Sequence, residues 1–305
     1  MDFSVIITSA YEPSTIKKAI DQVVLHNKEL WNKMEVIVVA PDDETLKMAE
    51  GGLLKLKERG FVNYEVVRDL GKGKSAAINL AVSKARGSIL IFTDGDVYVE
   101  DGAIKRVEAL LRLRPNTAGV SGHVVSLDSR NTLFGYFSHI FCSAADARRK
   151  SNPTTPMSGY LYAIKKIQGL FPIPENLRSE DAYISARILQ QNLKIAYASE
   201  AKVFVHFPKN MKDWINQKTR SLGGNLQLRK TGLFPADSTQ YYRKRSIFND
   251  LSMAFYPMKF AKNPKELLFS LALYPLRLYL WVRIYLIHST NSYKSGPWER
   301  ILSTK

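Results

Sequence analysis

Two carboxylates stand one residue apart, directly after a run of large apolar residues. The run Ile89-Leu90-Ile91-Phe92 predicts a strand buried on both faces of a parallel sheet, and Asp94 and Asp96 follow it, separated by Gly95. Open α/β sheets bind ligands at the carboxyl ends of their strands. If the strand geometry persists, both carboxylates point to one side, where they could bind Mg²⁺ or Mn²⁺ carrying a diphosphate. The structural alternative is a solvated acidic turn.

A glycine- and lysine-rich turn, Gly71 to Ser75, opens a predicted helix. It resembles a phosphate-binding P-loop only superficially, because Arg68 stands where that pattern requires glycine. Arg68, Lys72 and Lys74 together with a helix N-terminus could still bind phosphate. A solvated basic turn fits the residues equally well.

Acidic residues also follow the first two predicted strands. Glu12 follows the first strand, and Asp42 and Asp43 follow the second. All three are expected at the same sheet edge as Asp94, where they could accept hydrogen bonds from a ribose or a base. The alternative is that they cap the helices that begin there.

Further candidates lie in the second half of the chain. Glu180 and Asp181 open a helix, where acids either complement the helix dipole or provide a general base at a cleft. His206 ends a strand and is a weak candidate metal ligand. Gln217 and Arg220 lie three residues apart, on one face of a predicted helix.

These residues require an alternating scaffold to bring them together. Strands over 3–9, 35–39, 63–67 and 87–94 alternate with helices, which predicts right-handed βαβ units and a mostly parallel sheet with helices on both faces. Beyond 118, strands are predicted over 119–126, 158–164 and 195–207, with helices over 133–150 and 179–191 (Ser179 as N-cap). After Pro208 the sequence predicts helices over about 210–230, 244–260 and 264–288.

The net charge of +16 is unevenly distributed. Residues 1–120 hold 17 Lys/Arg and 17 Asp/Glu, whereas residues 207–305 hold 17 against 5. The basic last third indicates an anionic partner, either nucleic acid or anionic lipid. The single cysteine, Cys142, excludes an internal disulfide and a cysteine-cluster zinc site.

The order of the motifs resembles the family-2 glycosyltransferases of the GT-A fold, the inverting, nucleotide-sugar-dependent group that includes cellulose and hyaluronan synthases. The resemblance covers roughly residues 3–227. The matching stretches are Val5 to Glu12, Gly71 to Asn79, Gly87 to Asp96, Ser158-Gly159 with Arg178 to Asp181, and His206 with Gln217 to Ser221. The sequence departs from the family pattern in three places: Tyr11 for Asn, Ala40-Pro41-Asp42-Asp43 for Asp-Asp-Gly-Ser, and Ser221 for Trp.

The resemblance implies a mechanism and roles for the candidate residues. Asp96, with Asp94 and His206, would hold Mn²⁺ or Mg²⁺ and neutralise the leaving diphosphate of a UDP- or GDP-sugar. Asp181, beside Glu180, would accept the acceptor's proton in a single inverting displacement. Donor contacts would come from Glu12, Asp42, Asp43, Arg68, Lys72, Lys74 and Asp94. Gly159, Gln217 and Arg220 would contact the acceptor or the diphosphate.

The C-terminal region suggests where the protein works. We expect a glycosyltransferase domain over 1–230, with a donor half 1–117 and an acceptor half 118–230, and a helical membrane-associating region over 231–305. The stretch 267–287 is long enough to span a bilayer, but Arg277 lies near its middle. Aromatic and basic residues around it favour a peripheral helix on the cytoplasmic face of an anionic membrane. Such a site suits a lipid-linked or membrane-proximal glycan acceptor.

Two rival functions follow from the same residues. A nucleic-acid binder would use the basic last third, but its basic residues interleave with long apolar runs, so no nucleic acid is expected. A sugar nucleotidyltransferase would share a similar sheet, but it needs a glycine-rich turn after the first strand, which this sequence lacks.

Overall fold

The computed structural model describes residues 1–152, 155–175, 177–230, 255–289 and 302–304. These residues form eight strands, β1 Phe3–Thr8, β2 Met34–Ala40, β3 Tyr64–Arg68, β4 Ile89–Asp94, β5 Tyr98–Val99, β6 Thr117–Ser126, β7 Leu161–Lys165 and β8 Lys194–Val205. Nine α-helices accompany them, α1 Ile16–Leu25, α2 Asp43–Lys57, α3 Lys74–Lys84, α4 Ala103–Leu113, α5 Leu133–Ser151, α6 Glu180–Gln190, α7 Met211–Lys230, α8 Tyr256–Phe260 and α9 Pro264–Ser289.

All eight strands belong to one sheet, in the order β3-β2-β1-β4-β7-β6-β8-β5. Strands β1 to β4 pair in parallel, as do β6 and β8. Strand β7 is antiparallel to both β4 and β6, and the two-residue β5 is antiparallel to β8. The predicted βαβ half is therefore confirmed, whereas the second half is mixed. The antiparallel insertion of β7 matters because it brings the start of that strand to the carboxyl end of β4.

The sheet is covered on both faces, as the resemblance implies. Side chains of β1 alternate between two cores: Val5 and Ile7 pack with α1, α2 and α4, while Ile6 packs with α3 and α6. Both cores are formed by buried, mostly aliphatic residues, and β1, β2 and β4 lie between them, which explains why these strands lack a polar face. A rigid central sheet results, with its carboxyl edge available to hold polar groups.

A third apolar cluster joins the C-terminal helices to the domain. It consists of Tyr136, Phe137, Ile140, Trp214, Leu273 and Leu280, from α5, α7 and α9. Arg130 donates two hydrogen bonds, of 2.9 and 2.8 Å, to the carboxylate of Glu266 at the start of α9. Tyr136 and Ser270 share a 2.8 Å hydroxyl hydrogen bond. Helix α9 therefore lies along the domain and is fixed to it by polar contacts as well as packing.

Most predicted boundaries are close to those observed, with instructive exceptions. Helix α1 begins only at Ile16, eight residues after the end of β1. Ser179 precedes α6 but makes no capping bond with its side chain. The strand geometry of β4 ends at Asp94, so Gly95 and Asp96 form a turn and the two carboxylates are not positioned by strand alternation. Of the predicted helix 244–260, the structure describes only α8, since 244–254 lie outside the described residues.

Candidate active site

An ammonium group bridges two carboxylates at the carboxyl edge of the sheet. Lys74, the first residue of α3, places Nζ 2.6 Å from Oδ1 of Asp94 and 3.2 Å from Oε1 of Glu180. Asp94 also accepts a 2.8 Å hydrogen bond from the hydroxyl of Thr8, its register partner on β1. The bridge joins β4 and α3 to α6 of the second half. Two separate sequence motifs therefore form one site.

The charges of this bridge determine which groups are ionised. Burial opposes the charge on Lys74, but Asp94 and Glu180 outweigh it and raise the pKa of the ammonium. Burial likewise opposes ionisation of Glu180, yet the charge of Lys74 holds the pKa of Glu180 below its ordinary value. The neighbouring Asp181 differs: burial, and then the negative charge of Glu180, raise the pKa of its carboxyl. Adjacent acids thus have opposite shifts, as expected for an ion-pair partner and a proton acceptor.

The Asp181 carboxylate faces a backbone position without a side chain, at Gly159. Its Oδ1 accepts hydrogen bonds from the amide of Ala182, at 2.8 Å, and from the hydroxyl of Ser179, at 3.3 Å. On the other side lies Gly159, where a Cβ atom would stand 3.3 Å from Oδ2 of Asp181. Gly159 therefore leaves space beside the carboxylate. A substrate hydroxyl could approach Oδ2 there.

The predicted Asp94-Gly95-Asp96 motif depends on close packing at its centre. A Cβ on Gly95 would lie 2.3 Å from Oγ of Ser9 and 2.9 Å from Oε2 of Glu12. Ser9 itself donates a 2.8 Å hydrogen bond to Glu12. Asp96 is half-buried, and its charge acts with that of Glu12, after burial, to raise the pKa of the Tyr98 phenol. Glu12, Gly95 and Asp96 therefore form one acidic rim.

One of the predicted donor residues, Asp42, has a structural role. Asp42 caps α2 through the amide of Thr45 at 2.9 Å, and accepts a second hydrogen bond, of 2.7 Å, from the amide of Tyr11. Tyr11 has a positive φ of 57°, an uncommon conformation that this bond helps to hold. Burial opposes ionisation of Asp42, but these hydrogen bonds lower the pKa of the carboxyl. The capping alternative is thus realised here, at the same sheet edge.

The predicted cations of the basic turn face different surroundings. Only Lys74 reaches the carboxylates; Lys72 is exposed. Arg68 pairs with Asp43, and the side chains are 51% and 89% exposed. Arg68 also donates to the carbonyl of Pro41 at 3.0 Å. The structure therefore does not bring Arg68 and Asp43 into contact with Asp94.

Helix α7 contributes a cation to the same site. The charge of Arg220 helps to lower the pKa of Glu180, after the effects of burial and of Lys74. Burial raises the pKa of the Tyr160 phenol, while Arg220 opposes that rise and Asp96 adds to it. Arg220, Tyr160 and the two carboxylates are thus electrostatic neighbours. Gln217 lies one turn earlier on α7 and is half-buried.

The candidate metal ligands fit a site completed by substrate phosphates. Nδ1 of His206 lies 2.9 Å from Oδ1 of Asp128, and the carboxylate can only accept, so it orients the ring with Nε2 away. Asp94 is engaged by Lys74, and Asp96 lies two residues further on, in the turn after β4. Among the described residues, no three His, Cys, Asp or Glu side chains are close enough to hold a metal alone. Mg²⁺ and Mn²⁺ sites often use one or two carboxylates plus phosphate, so the donor set is compatible with such an ion.

Sequence reasoning missed two residues that shape the site. Thr8 bonds Asp94, and the signal was its polar position at the end of an apolar strand. The second is Tyr162, which is fully buried and whose hydroxyl has no hydrogen-bond partner among the described residues. Burial raises the pKa of this phenol, and the charges of Glu180, Asp181 and Asp94 raise it further. Its ring stacks on Phe92, with centroids 4.7 Å apart. No sequence signal indicates this contact, because it depends on the antiparallel pairing of β7 with β4.

Comparison with known sequences identifies related proteins. The model of a family described as "Glycosyltransferase like family 2" matches residues 1–224. The chain is 25% identical over 235 residues to the probable glycosyltransferase YdaM of Bacillus subtilis (strain 168), covering 74% of this chain and 55% of YdaM. It thus spans about half the length of this curated relative.

Solved structures with the same architecture carry nucleotide sugars. The mannosyltransferase PcManGT from Pyrobaculum calidifontis, in complex with GDP-Man and Mn²⁺, superposes with a TM-score of 0.60 at 17% identity, over 96% of this chain and 81% of PcManGT. S. aureus TarS 1-349, in complex with UDP-GlcNAc, gives a TM-score of 0.51 at 16% identity, over 85% and 80% of the two chains. At these identities the likeness establishes the fold, which is GT-A.

Proposed function

This chain belongs to glycosyltransferase family 2, and from that premise we propose that it is a metal-dependent, inverting hexosyltransferase. It would move a sugar from a UDP- or GDP-sugar to an acceptor hydroxyl. The observation that carries the proposal is the buried Asp94–Lys74–Glu180 bridge beside Asp181. PcManGT and TarS, which share the fold, were solved with GDP-Man and UDP-GlcNAc, and this supports a nucleotide-sugar donor.

Asp181 is the proposed general base. Burial and the charge of Glu180 raise the pKa of Asp181, so its carboxylate is a better proton acceptor than an exposed aspartate. The space beside Gly159 admits the acceptor hydroxyl to Oδ2. As that oxygen attacks the anomeric carbon, Asp181 takes its proton and the nucleoside diphosphate leaves from the opposite face. One displacement inverts the centre without an enzyme nucleophile.

The donor diphosphate requires cations around it. Lys74 and Arg220 supply fixed positive charge, with Gln217 as a further hydrogen-bond donor. Asp96, with Asp94 and His206, would hold Mn²⁺ or Mg²⁺, and the bound ion would neutralise charge on the leaving diphosphate. Glu12, Asp42 and Lys72 border the donor pocket in this proposal, and Arg68 and Asp43 flank it further out.

The test is a screen of UDP- and GDP-sugars for hydrolysis and thermal stabilisation, with Mn²⁺ and with EDTA. For the donor identified, Asp181→Asn is expected to keep donor binding and to lose transfer by about 100-fold or more, the usual range for a general base. Asp21→Asn, a half-buried carboxylate on α1, is the matched control. Near-normal turnover by Asp181→Asn would remove Asp181 from the mechanism, and activity unchanged in EDTA would remove the metal.

We also propose that α9 rests on an anionic membrane surface at the cytoplasmic face. Residues Pro264–Ile287 are long and apolar enough to cross a bilayer, with a mean hydropathy of 1.4. However, Glu266, Ser270, Leu273, Leu280 and Ile284 form one buried stripe against the domain. The opposite stripe is apolar and exposed, formed by Leu268, Leu271, Leu278, Val282 and Tyr285. A helix that packs along one side and exposes leucines on the other suits a peripheral position.

Basic residues adjoin this exposed stripe. Lys259, Lys262 and Lys265 precede or open α9, and they favour anionic headgroups. The basic run at 243–245 and Tyr293, which also entered the sequence prediction, lie outside the described residues. A membrane position would give the enzyme access to a lipid-linked or membrane-proximal glycan acceptor.

Vesicle flotation tests this attachment. The triple change of Leu268, Leu271 and Leu278 to Asn should reduce binding to anionic vesicles by roughly 100-fold, taking about 1 kcal/mol for each half-inserted leucine. Leu54, Leu70 and Leu113, also exposed but elsewhere, provide the control triple. Equal flotation of both triples would refute the peripheral surface, and attachment that resists carbonate washing would indicate a spanning helix.

A further inference from the structure

One hydroxyl oxygen bonds both sides of the opening beside Asp181. Oγ of Ser185 donates a 2.6 Å hydrogen bond to the carbonyl of Asp181, one turn earlier on α6. The same oxygen accepts a 3.0 Å hydrogen bond from the amide of Met157, two residues before Gly159. Ser185 is fully buried, so water does not compete with either bond. A single side chain therefore connects the backbone of the proposed base to the segment that carries Gly159.

Two further buried hydroxyl groups hold the same segment. Oγ of Ser121, on β6, accepts a 2.9 Å hydrogen bond from the amide of Ser158. Oγ1 of Thr93, on β4, donates a 3.0 Å hydrogen bond to the carbonyl of Tyr160. We call these two hydroxyls and that of Ser185 the hydroxyl clamp. The clamp bonds the peptide groups of residues 157–160 to β6, β4 and α6.

The side chain of Met157 is held as closely as its amide. It is buried in the apolar core between the sheet and α6. A Cβ on Gly119 would lie 2.8 Å from Sδ of Met157, so the thioether packs directly against the backbone of β6. Within residues 157–159, only Gly159 is half-buried rather than buried. The segment is therefore fixed by packing and by its peptide groups, and Gly159 is the residue that it presents to Asp181.

We propose that Ser185 is a positioning residue, which sets the width of the opening between Gly159 and Asp181. The inference rests on the proposed transfer function and deepens it by assigning what fixes the approach of the acceptor hydroxyl to Oδ2. A Cβ on Gly159 would lie 3.3 Å from that oxygen, so a small shift of the segment changes the space available there. Misplacing reacting groups by about 1 Å can lower a rate about 100-fold. Both bonds of Ser185 go to backbone groups, so it acts through Asp181 and Gly159 and not on the substrate itself.

Removing the hydroxyl should loosen the segment without changing donor binding. Ser185→Ala leaves the buried amide of Met157 without its acceptor, so hydrogen–deuterium exchange of the peptide covering 157–160 should become about tenfold faster or more. For a UDP- or GDP-sugar that the wild type hydrolyses, the kcat of hydrolysis should fall by about tenfold, because water then takes the place of the acceptor hydroxyl. The dissociation constant of UDP or GDP should not change. An unchanged rate of exchange would overturn the proposal.

Ser4→Ala is the matched control for a general loss of stability. The hydroxyl of Ser4 is also fully buried and also joins two segments, because it accepts a 2.9 Å hydrogen bond from the amide of Gly87 and donates one of 2.6 Å to Glu35. It lies near the start of β1, whereas the site lies at the carboxyl ends of the strands. Ser4→Ala should lower the melting temperature as Ser185→Ala does, but should leave the kcat unchanged. An equal loss of kcat in the two variants would overturn the proposal.

A double-mutant cycle tests whether Ser185 acts through Gly159. Gly159→Ala alone narrows the opening and should lower the kcat by about tenfold. If the clamp holds the new methyl group against Asp181, then Ser185→Ala in the same chain lets the segment move back. The double variant should therefore be at least about threefold more active than the product of the two single effects. A double variant equal to that product would overturn the proposal.

Exchange and turnover separate this inference from the proposed function. If the wild type hydrolyses no nucleotide sugar, the transfer function fails, whereas faster exchange at 157–160 in Ser185→Ala and not in Ser4→Ala still supports the role of Ser185 in holding Gly159. If the wild type hydrolyses a nucleotide sugar and Ser185→Ala does so with the wild-type kcat, the transfer function stands and the positioning role of Ser185 fails.

Discussion

Replacing Lys74 with methionine tests whether the bridge holds the two halves of the site together. Methionine keeps most of the side-chain volume but removes the ammonium that lies 2.6 Å from Asp94 and 3.2 Å from Glu180. The Glu180 side chain is 10% exposed, so its charge would be left largely desolvated. Removing one partner of a buried ion pair costs about 3–5 kcal/mol, and with a quarter of Lys74 exposed we expect about 3 kcal/mol.

The loss of stability in Lys74→Met should depend on pH, because it arises from the charge of Glu180. Burial opposes the charge of Glu180, but Lys74 holds the pKa of Glu180 below its ordinary value. That carboxylate therefore stabilises the wild type above the unfolded pKa of about 4.3, and the contribution is lost as pH falls through the folded pKa. Without the ammonium, burial raises the pKa of Glu180 instead. The variant's deficit should be large at pH 7 and shrink as the pH falls towards and then below the unfolded pKa of about 4.3.

Differential scanning calorimetry across this pH range measures the effect. At about 2–4 °C per kcal/mol, the melting temperature at pH 7 should fall by roughly 6–12 °C. Lys84→Met is the control, because Lys84 lies on the same helix and pairs with Glu65 where both side chains are over one-third exposed. That change should cost less than about 1 kcal/mol. A deficit for Lys74→Met that is absent at pH 7, or constant down to pH 4, would refute the reasoning.

Two further changes test the rim and the attachment of α9. Gly95→Ala places a Cβ 2.3 Å from Oγ of Ser9 and 2.9 Å from Oε2 of Glu12. Because the rim must shift to relieve these contacts, the donor KM should rise by about tenfold or more. The control is Gly51→Ala, which has open space around it and should leave the KM unchanged. An unchanged KM in Gly95→Ala would exclude a role for the rim in donor binding. Glu266→Gln removes the carboxylate that accepts two hydrogen bonds from Arg130, and should cost about 1–2 kcal/mol at pH 7. The Arg130 hydrogen bonds lower the pKa of Glu266, so that deficit should shrink as the pH falls below the unfolded pKa of about 4.3 and through the folded pKa. A deficit that does not change with pH in calorimetry would contradict the assignment.

The first half of the fold could be predicted because its signals are local. Runs such as Ile89 to Phe92 are apolar without alternation, which is typical of buried parallel strands. The helices between them begin and end at residues typical of helix boundaries, so the spacing of strands and helices identifies parallel βαβ units. The second half could not be predicted in the same way. Strand β7 inserts antiparallel between β4 and β6, and strand direction is set by long-range pairing that leaves no local pattern.

The candidate site, like the fold, could be predicted only in part. The sequence identified Asp94, Lys74, Glu180 and Asp181 as candidates, but it did not indicate that Lys74 bonds both Asp94 and Glu180, which are 86 positions apart. A lysine in the turn that leads into a helix looks identical in sequence whether it faces solvent, as Lys72 does, or two acids, as Lys74 does. Only the packing of α3 and α6 on one face of the sheet distinguishes them.

Helix α5 connects the proposed chemistry to the proposed membrane surface. Near its N-terminus, Tyr136 and Phe137 pack in the cluster that holds α9, and at its C-terminus Arg149 is in electrostatic contact with Asp181. One rigid helix therefore fixes how far the base lies from the exposed leucines of α9. A helix rises 1.5 Å per residue, so the 12 residues from Phe137 to Arg149 span about 18 Å. In the proposed function, an acceptor whose hydroxyl lies at Asp181 and whose chain reaches the lipid surface must extend across that length.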